Sequence, residues 1–175
     1  FWNVLNRALD DVREQYDLII IDTPPALSYV TINALMASDG ILMPLPPNAL
    51  DAASAAQFWR LFSDLAGQLV EQRGVTKSFD FVRVLLTRVD SQDTTTTTIR
   101  EWISKTYEGK VLPADIPKTA VASSSSAEFG TVYDVVKYEG SQKTYKRARD
   151  AYERVAELME EIIRAAWRGQ LTKLG

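Results

Sequence analysis

Any chemistry in this sequence must come from carboxylates, hydroxyls, cations or the backbone, because its 175 residues include no cysteine and no histidine. Thiol nucleophiles, disulfides, imidazole acid–base catalysis and zinc sites of the usual ligand types are thereby excluded. The first candidate is Asp22, which ends the apolar run Leu18–Ile21 and is followed by Thr23-Pro24-Pro25. Ligands bind beyond the carboxyl ends of parallel strands, so this carboxylate either serves a ligand site or caps the next turn.

A basic cluster near the carboxyl end is the second candidate. Its members are Lys137, Lys143, Lys146, Arg147 and Arg149. This density of cations suits contacts with DNA phosphates, which give binding that depends on salt and little on sequence. The alternative is a solvated helix face, since Asp150 and Glu153 are spaced to pair with these cations at i, i+3 and i+4.

Composition limits the class of protein further. The chain is 46% hydrophobic and 25% charged, which is ordinary for one globular domain. A net charge of −3 argues against a protein that coats nucleic acid over its whole surface. No apolar run approaches the roughly 18 residues of a membrane span. The chain starts at Phe1-Trp2 without Met, inside an amphipathic pattern that runs to Val12, which predicts a fragment.

Apolar runs and helical periodicities alternate along the chain. Strands are predicted at Asp17–Asp22, Gly40–Leu45, Phe79–Thr87 and Lys110–Ile116. Helices are predicted at Ala26–Asp39, from an Asn48 or Asp51 cap to about Gly74, from Asp93 through Tyr107, and at Ser141–Trp167. This alternation predicts an α/β fold with a doubly wound, mostly parallel sheet. Because four strands make only part of such a sheet, one or two strands are expected before Phe1, with an exposed sheet edge where they belong.

Two polar segments and one apolar stripe add detail to these elements. The run Thr94–Thr98 is either a linker or, with Asp93, the cap of the helix that follows. Ser123–Ser126 is expected in a loop or at a helix start. The last helix is expected to bury a stripe made of Tyr152, Val155, Ala156, Met159, Ile162, Ile163 and Ala166.

The segment Tyr16–Pro25 resembles the Walker B and switch II region of the ParA/MinD deviant-Walker ATPases. The resemblance implies that Asp22 is the catalytic carboxylate that helps to hold magnesium. It also implies that Thr23, Pro24 and Pro25 form a switch that responds to the nucleotide. One carboxylate suffices for a hard cation that keeps several waters while phosphates supply the other oxygens.

Two later segments extend the resemblance. Val84–Arg88 is similar to the family's strand that ends beside the adenine, and Ala114–Pro117 is similar to the segment that closes over the base. The resemblance implies that Thr87, Arg88, Ile116 and Pro117 contact the nucleotide, partly through backbone groups. For Thr87 and Arg88 the alternative is a polar strand exit on the surface.

The carboxyl-terminal part selects a branch of the family. Tyr138–Arg149 and Ala165–Arg168 resemble the RepA-like partition proteins of plasmids and secondary chromosomes. That resemblance implies an ATPase with ATP and Mg²⁺ as cofactors, which dimerises on ATP and works with a centromere-binding partner protein. It further implies a cytoplasmic, nucleoid-associated protein that binds DNA non-specifically, with contacts from Lys143, Lys146, Arg147 and Arg149.

The family's phosphate-binding loop is missing from the sequence. The sole Gly-Lys pair, Gly109-Lys110, has Ser104 where the motif needs its first glycine and Val111 where it needs Ser or Thr. Residues 1–175 are therefore interpreted as the C-terminal part of a single ParA-type ATPase domain, inactive alone, that ends in a long helix over 141–168. The alternatives are a MinD-like cell-division regulator, for whose membrane anchor Gly169–Gly175 is too short and polar, and a non-enzymatic doubly wound interaction module.

Overall fold

The computed structural model describes residues 2–169 except Pro25, Val75, Ser91, Glu128 and residues 136–139. The helices are α1 (Val4–Leu9), α2 (Tyr29–Ala37), α3 (Ala49–Arg73), α4 (Thr94–Thr106), α5 (Ala120–Ala127) and α6 (Gln142–Trp167). The strands are β1 (Gly40–Leu45), β2 (Phe81–Val89) and β3 (Val111–Pro117), and a 3₁₀ turn covers Arg13–Gln15. None of the helices in the described part of the chain is long and apolar enough to cross a membrane.

The strands form one sheet in the order β1-β2-β3. β2 and β3 run parallel, with Val84 opposite Val111 and Val89 opposite Pro117. Helices lie between successive strands in the chain, so the predicted α/β fold with a parallel sheet and flanking helices is confirmed. The most completely buried large side chains are Leu86, Ile103, Val84 and Val121.

The chain divides into two compact units. The first consists of Phe1–Ile41 with Ala53–Val82, and the second of Leu42–Ala52 with Arg83–Gly175. In the first unit α1 packs on α2, where Asn33 Oδ1 accepts a hydrogen bond of 3.0 Å from the Val4 N–H. In the second unit α6 packs against β3 and α5. The single-domain interpretation stays a prediction.

The predicted strand at Asp17–Asp22 is wrong, since these residues lie outside every helix and strand. Leu18 is 49% exposed and Ile20 is 85% exposed, whereas Ile19 and Ile21 are half-buried, so the run is not covered as an interior strand would be. The physical reason is hydrogen bonding: an interior strand needs a neighbour for its backbone groups, and none of the described strands pairs with this run. Three of the four predicted strands are therefore present in the described residues.

Helix caps were predicted correctly. Asn48 Oδ1 accepts the Asp51 N–H at 3.0 Å, at the start of α3. Asp93 Oδ1 accepts the Thr95 N–H at 2.9 Å, and this backbone hydrogen bond is the main reason why the pKa of Asp93 lies below its ordinary value. The threonine run is thus the first part of α4 and not a linker.

Two local expectations need adjustment. Positions 123–126 lie inside α5, beyond the helix start that was expected, and the Ser125 hydroxyl donates to the Val121 carbonyl at 2.8 Å. On α6, Ala156 of the predicted stripe is exposed. The buried face is turned by about one residue and consists of Ala148, Val155, Leu158, Ile162 and Ala165. Helical periodicity gives the width of such a face more reliably than its centre.

Gly40 supports the packing at the start of the sheet. A Cβ at this position would lie 2.3 Å from Cζ of Phe81, far inside contact distance. We expect Gly40→Ala to lower the free energy of unfolding by about 1–3 kcal/mol, because the ring must move within a packed layer. Chemical denaturation measures this loss, and a second substitution, Phe81→Leu, should recover part of it.

The matched control is Gly67 in α3, where an added Cβ would meet no atom within 4 Å. Gly67→Ala should raise the free energy of unfolding by about 0.5–1 kcal/mol, since alanine loses less backbone entropy in a helix. Equal stabilities for the Gly40 and Gly67 variants would contradict the proposed role of the Gly40–Phe81 contact.

Candidate functional site

Asp22 lies in the first unit, in the extended segment between the 3₁₀ turn and α2. Its side chain is exposed, and no described residue forms an ion pair or hydrogen bond with it. Within the described residues, no group of three or more acidic side chains could form an all-protein metal cage. A lone free carboxylate fits magnesium, which keeps waters and takes its other oxygens from phosphates, better than calcium, which needs many protein oxygens.

The segment after Asp22 is tied to the beginning of α2. The Ala26 N–H donates to the Pro24 carbonyl at 2.8 Å, and the Thr31 hydroxyl donates to the Ala26 carbonyl at 2.5 Å. Ser28 caps the helix by accepting the Thr31 N–H. Thr23 and Pro24 are exposed, whereas Pro25, the third residue of the predicted switch, lies outside the described residues. A displacement of Pro24 would therefore reach α2 through these bonds.

The carboxyl ends of β2 and β3 form a second candidate region, in the second unit. Leu86 pairs with Asp115 and Val89 with Pro117, so three steps along β2 match two steps along β3. The extra residue makes a bulge at Thr87–Arg88, and Arg88 has a φ of +53°, in the left-handed region. Such backbone is costly for a residue with a side chain and is concentrated at functional sites.

The four residues predicted to contact the base lie at this one edge of the sheet, which we call the β2–β3 edge. Thr87 is half-buried and Arg88 is exposed, whereas Ile116 and Pro117 are buried. Ile116 and Pro117 therefore expose little of their surface to a ligand. The bulge turns the exposed Arg88 side chain to solvent, where it makes no ion pair with any described residue.

Lys118 is a residue of this edge that the sequence prediction missed. Its N–H donates to the Val89 carbonyl at 3.0 Å and closes the ladder between β2 and β3. Its ammonium group lies 3.7 Å from an Asp90 carboxylate oxygen. The pair joins the ends of two strands that are far apart in sequence, so only the strand order could have revealed it.

The basic residues of α6 divide into two kinds. Lys143, Lys146 and Arg147 are exposed, and none has an ion-pair partner among the described residues. Arg149 instead lies 3.1 Å from a Glu153 carboxylate oxygen and 5.4 Å from the centre of the Tyr133 ring. The Glu153 pairing considered from the sequence is thus present, whereas Lys137 lies outside the described residues.

The Gly109-Lys110 pair has the wrong setting for a phosphate loop. A P-loop leads from a strand into a helix, whereas this turn leads from α4 into β3. Gly109 has a φ of +70°, and the Lys110 N–H donates to the Tyr107 carbonyl at 2.9 Å. These are the features of a helix end, which agrees with the sequence interpretation.

Comparison with known proteins finds similar proteins from several bacteria. Residues 2–73 match the AAA domain family. A Rhizobium rhizogenes protein that carries the name replication protein A is 29% identical over 167 residues, which are 95% of this chain and 41% of that protein. SopA of Escherichia coli K12 is 28% identical over 94% of this chain and 42% of its own length. A virulence-plasmid ParA family protein of Chlamydia psittaci is 28% identical over 70% of this chain and 44% of its own length.

Two solved structures share the fold of this chain. A partition protein superposes with a TM-score of 0.69 over 92% of this chain and 41% of its own, at 23% identity. Cobyrinic acid a,c-diamide synthase from Mycobacterium smegmatis, solved with ADP and magnesium, superposes with a TM-score of 0.53 over 67% of this chain and 46% of its own, at 29% identity. The chain spans about two-fifths of the length of the first relatives. The resemblance drawn from the motifs is confirmed, since the chain is similar over most of its length to proteins of the ParA type.

Proposed function

We propose that the full-length protein is a magnesium-dependent ATPase that partitions a low-copy plasmid or secondary chromosome. The observation that carries the proposal is the match to SopA and the replication protein A over 94–95% of this chain, joined by a fold shared with a partition protein. An ATPase family is consistent with the AAA domain match that contains Asp22.

The cofactors of the proposal are ATP and Mg²⁺. The similar synthase structure holds ADP and magnesium, which supports a nucleotide and this metal. Asp22 binds the magnesium in this proposal, because it is an exposed carboxylate that follows an apolar run and has no ion-pair or hydrogen-bond partner among the described residues. The β2–β3 edge contacts the base through the bulged backbone at Thr87–Arg88 and the backbone of Ile116 and Pro117.

The partners of the proposal are DNA, a centromere-binding protein and a second copy of the chain. Non-specific DNA binding is assigned to Lys143, Lys146 and Arg147 of α6, which are exposed and have no ion-pair partner in the part of the chain that the structure describes. Dimerisation on ATP and action on the nucleoid in the cytoplasm are carried over from the resemblance to the partition ATPases. DNA binding, dimerisation on ATP and association with the nucleoid can each be tested by a separate experiment.

Titration of the full-length protein with labelled ATP tests the nucleotide part. We expect saturable binding that requires magnesium and a slow hydrolysis that DNA and the partner protein can alter. Binding that is unaffected by chelation of magnesium would contradict the role of Asp22. The absence of any ATP binding would reject the ATPase proposal and favour a non-enzymatic interaction module.

A further inference from the structure

The first two turns of α6 are unfavourable as an isolated helix. Ser141 at the N-cap makes no side-chain hydrogen bond to the helix, and the first turn has no acidic residue. Lys143, Lys146 and Arg147 add positive charge near the positive end of the helix dipole. A missing cap and such charges together cost about 1–2 kcal/mol, so other contacts must keep these turns ordered.

The segment Thr131–Val135, called the 131–135 loop below, supplies such contacts. Val132 is 5% exposed and is buried against Val121 and Ala148, so it joins the loop to the second turn of α6. The Tyr145 hydroxyl donates to the Val135 carbonyl at 3.4 Å.

The 131–135 loop is itself a defined turn. The N–H and the hydroxyl of Thr131 donate to one Asp134 carboxylate oxygen at 2.7 and 2.6 Å, and the hydroxyl bond is the main cause of the lowered pKa of Asp134. The Asp134 N–H donates back to the Thr131 carbonyl at 3.1 Å. The loop therefore offers α6 a fixed surface.

Arg149 joins this loop to the helix at a third point. Its guanidinium lies over the Tyr133 ring at 5.4 Å and donates from Nε to Glu153 at 3.1 Å. A hydrogen bond with Tyr145, followed by the one with Glu153, raises the pKa of Arg149. The planar fork of an arginine can engage a ring, a hydroxyl and a carboxylate at once, which a lysine cannot. The Arg149 guanidinium is thus already in contact with three residues of this chain.

We propose that Arg149 is a positioning residue and not itself a phosphate contact. It holds the 131–135 loop on α6 and so keeps the helix turns that carry Lys143, Lys146 and Arg147 ordered for DNA binding. The inference rests on the proposed DNA binding by α6. A helix end that is ordered for only part of the time lowers the apparent affinity by that fraction. The number of phosphate contacts in the bound state, which sets the salt dependence, does not change.

The test uses the full-length protein and the double variant Arg149→Ala/Glu153→Ala, which removes both charges and so preserves net charge. We expect hydrogen exchange of the amides at 145–148 to become several-fold faster. Affinity for a random-sequence DNA duplex should weaken by about three- to tenfold with an unchanged slope against salt. The single variant Arg149→Lys should show smaller changes in exchange and in affinity than the double variant, but not wild-type values, since lysine keeps the charge but lacks the planar guanidinium.

The matched control is Arg154→Ala/Glu157→Ala, which removes a similar pair, separated by 3.2 Å, from the same helix. This variant should leave exchange at 145–148 and DNA affinity unchanged. Hydrogen exchange at 145–148 that is as slow in Arg149→Ala/Glu153→Ala as in the wild type would overturn the proposal. A salt slope flattened by about 0.9 in Arg149→Ala, with exchange unaltered, would make Arg149 a phosphate contact instead. DNA affinity that is unchanged by replacing Lys146 and Arg147 with Ala would reject the DNA assignment. Faster exchange in Arg149→Ala/Glu153→Ala would in that case still support the role of Arg149 in holding the loop.

Discussion

Replacing Asp22 with Ala should reduce ATP hydrolysis by the full-length protein by at least about a hundredfold. Loss of a metal-binding carboxylate removes several kcal/mol of stabilisation from the transferring phosphoryl group, and each 1.4 kcal/mol is about a tenfold change in rate. The fold should survive, because Asp22 is exposed and makes no ion pair or hydrogen bond with any described residue. Turnover measured at several magnesium concentrations, together with a melting curve, gives both results.

Asp17 provides the matched control, since it is an exposed carboxylate at the other end of the same apolar run. Asp17→Ala changes the net charge by the same amount and should leave hydrolysis within about twofold of wild type, as expected of a surface change worth less than about 0.5 kcal/mol. Unchanged turnover in Asp22→Ala would reject the magnesium assignment. A collapsed melting transition in that variant would instead show that Asp22 serves the fold.

Three of the four predicted strands are present, and β1, β2 and β3 begin and end within about two residues of the predicted bounds. Each was predicted from a short apolar run with polar or proline boundaries. Leu18–Ile21 has the same pattern but is not a strand. An apolar run shows that a segment is suited to a sheet, whereas strand formation also requires a neighbour with free backbone groups. The sequence of the run does not show whether such a neighbouring strand is present.

In the candidate site, too, local sequence patterns predict some features, whereas others depend on contacts between segments that are distant in sequence. The family resemblance implied a role at the base for Thr87, Arg88, Ile116 and Pro117, and they lie at one edge because parallel strands end on the same side of a sheet. The bulge at Thr87–Arg88 could not be predicted, because it arises from the register between β2 and β3. Arg149 could be paired with Glu153 from helical spacing, but its contact with Tyr133 depends on the path of the 131–135 loop.

The second large effect is expected for DNA binding after Lys146 and Arg147 are both replaced with Ala. Both side chains are exposed on α6 and have no ion-pair partner among the described residues, so their charges are free to meet phosphates. Loss of two phosphate contacts should flatten the slope of log affinity against log salt by about 1.8 and weaken binding to arbitrary DNA by about tenfold or more at moderate salt. Alanine is the best helix former, so α6 itself should persist.

Arg154 and Arg164 give the control for this prediction, because they lie on the same helix and their loss removes the same charge. Arg154 lies 3.2 Å from Glu157 and Arg164 lies 2.7 Å from Glu160, so each is already neutralised by a neighbour. Their double replacement should shift affinity only through the small change in net charge, with the slope nearly constant. Equal effects from the two double variants would mean that DNA responds to the total charge of the protein. A loss confined to Lys146 and Arg147, with ATP hydrolysis in the absence of DNA near normal, would locate the phosphate contacts on the first turns of α6 and separate them from the nucleotide site.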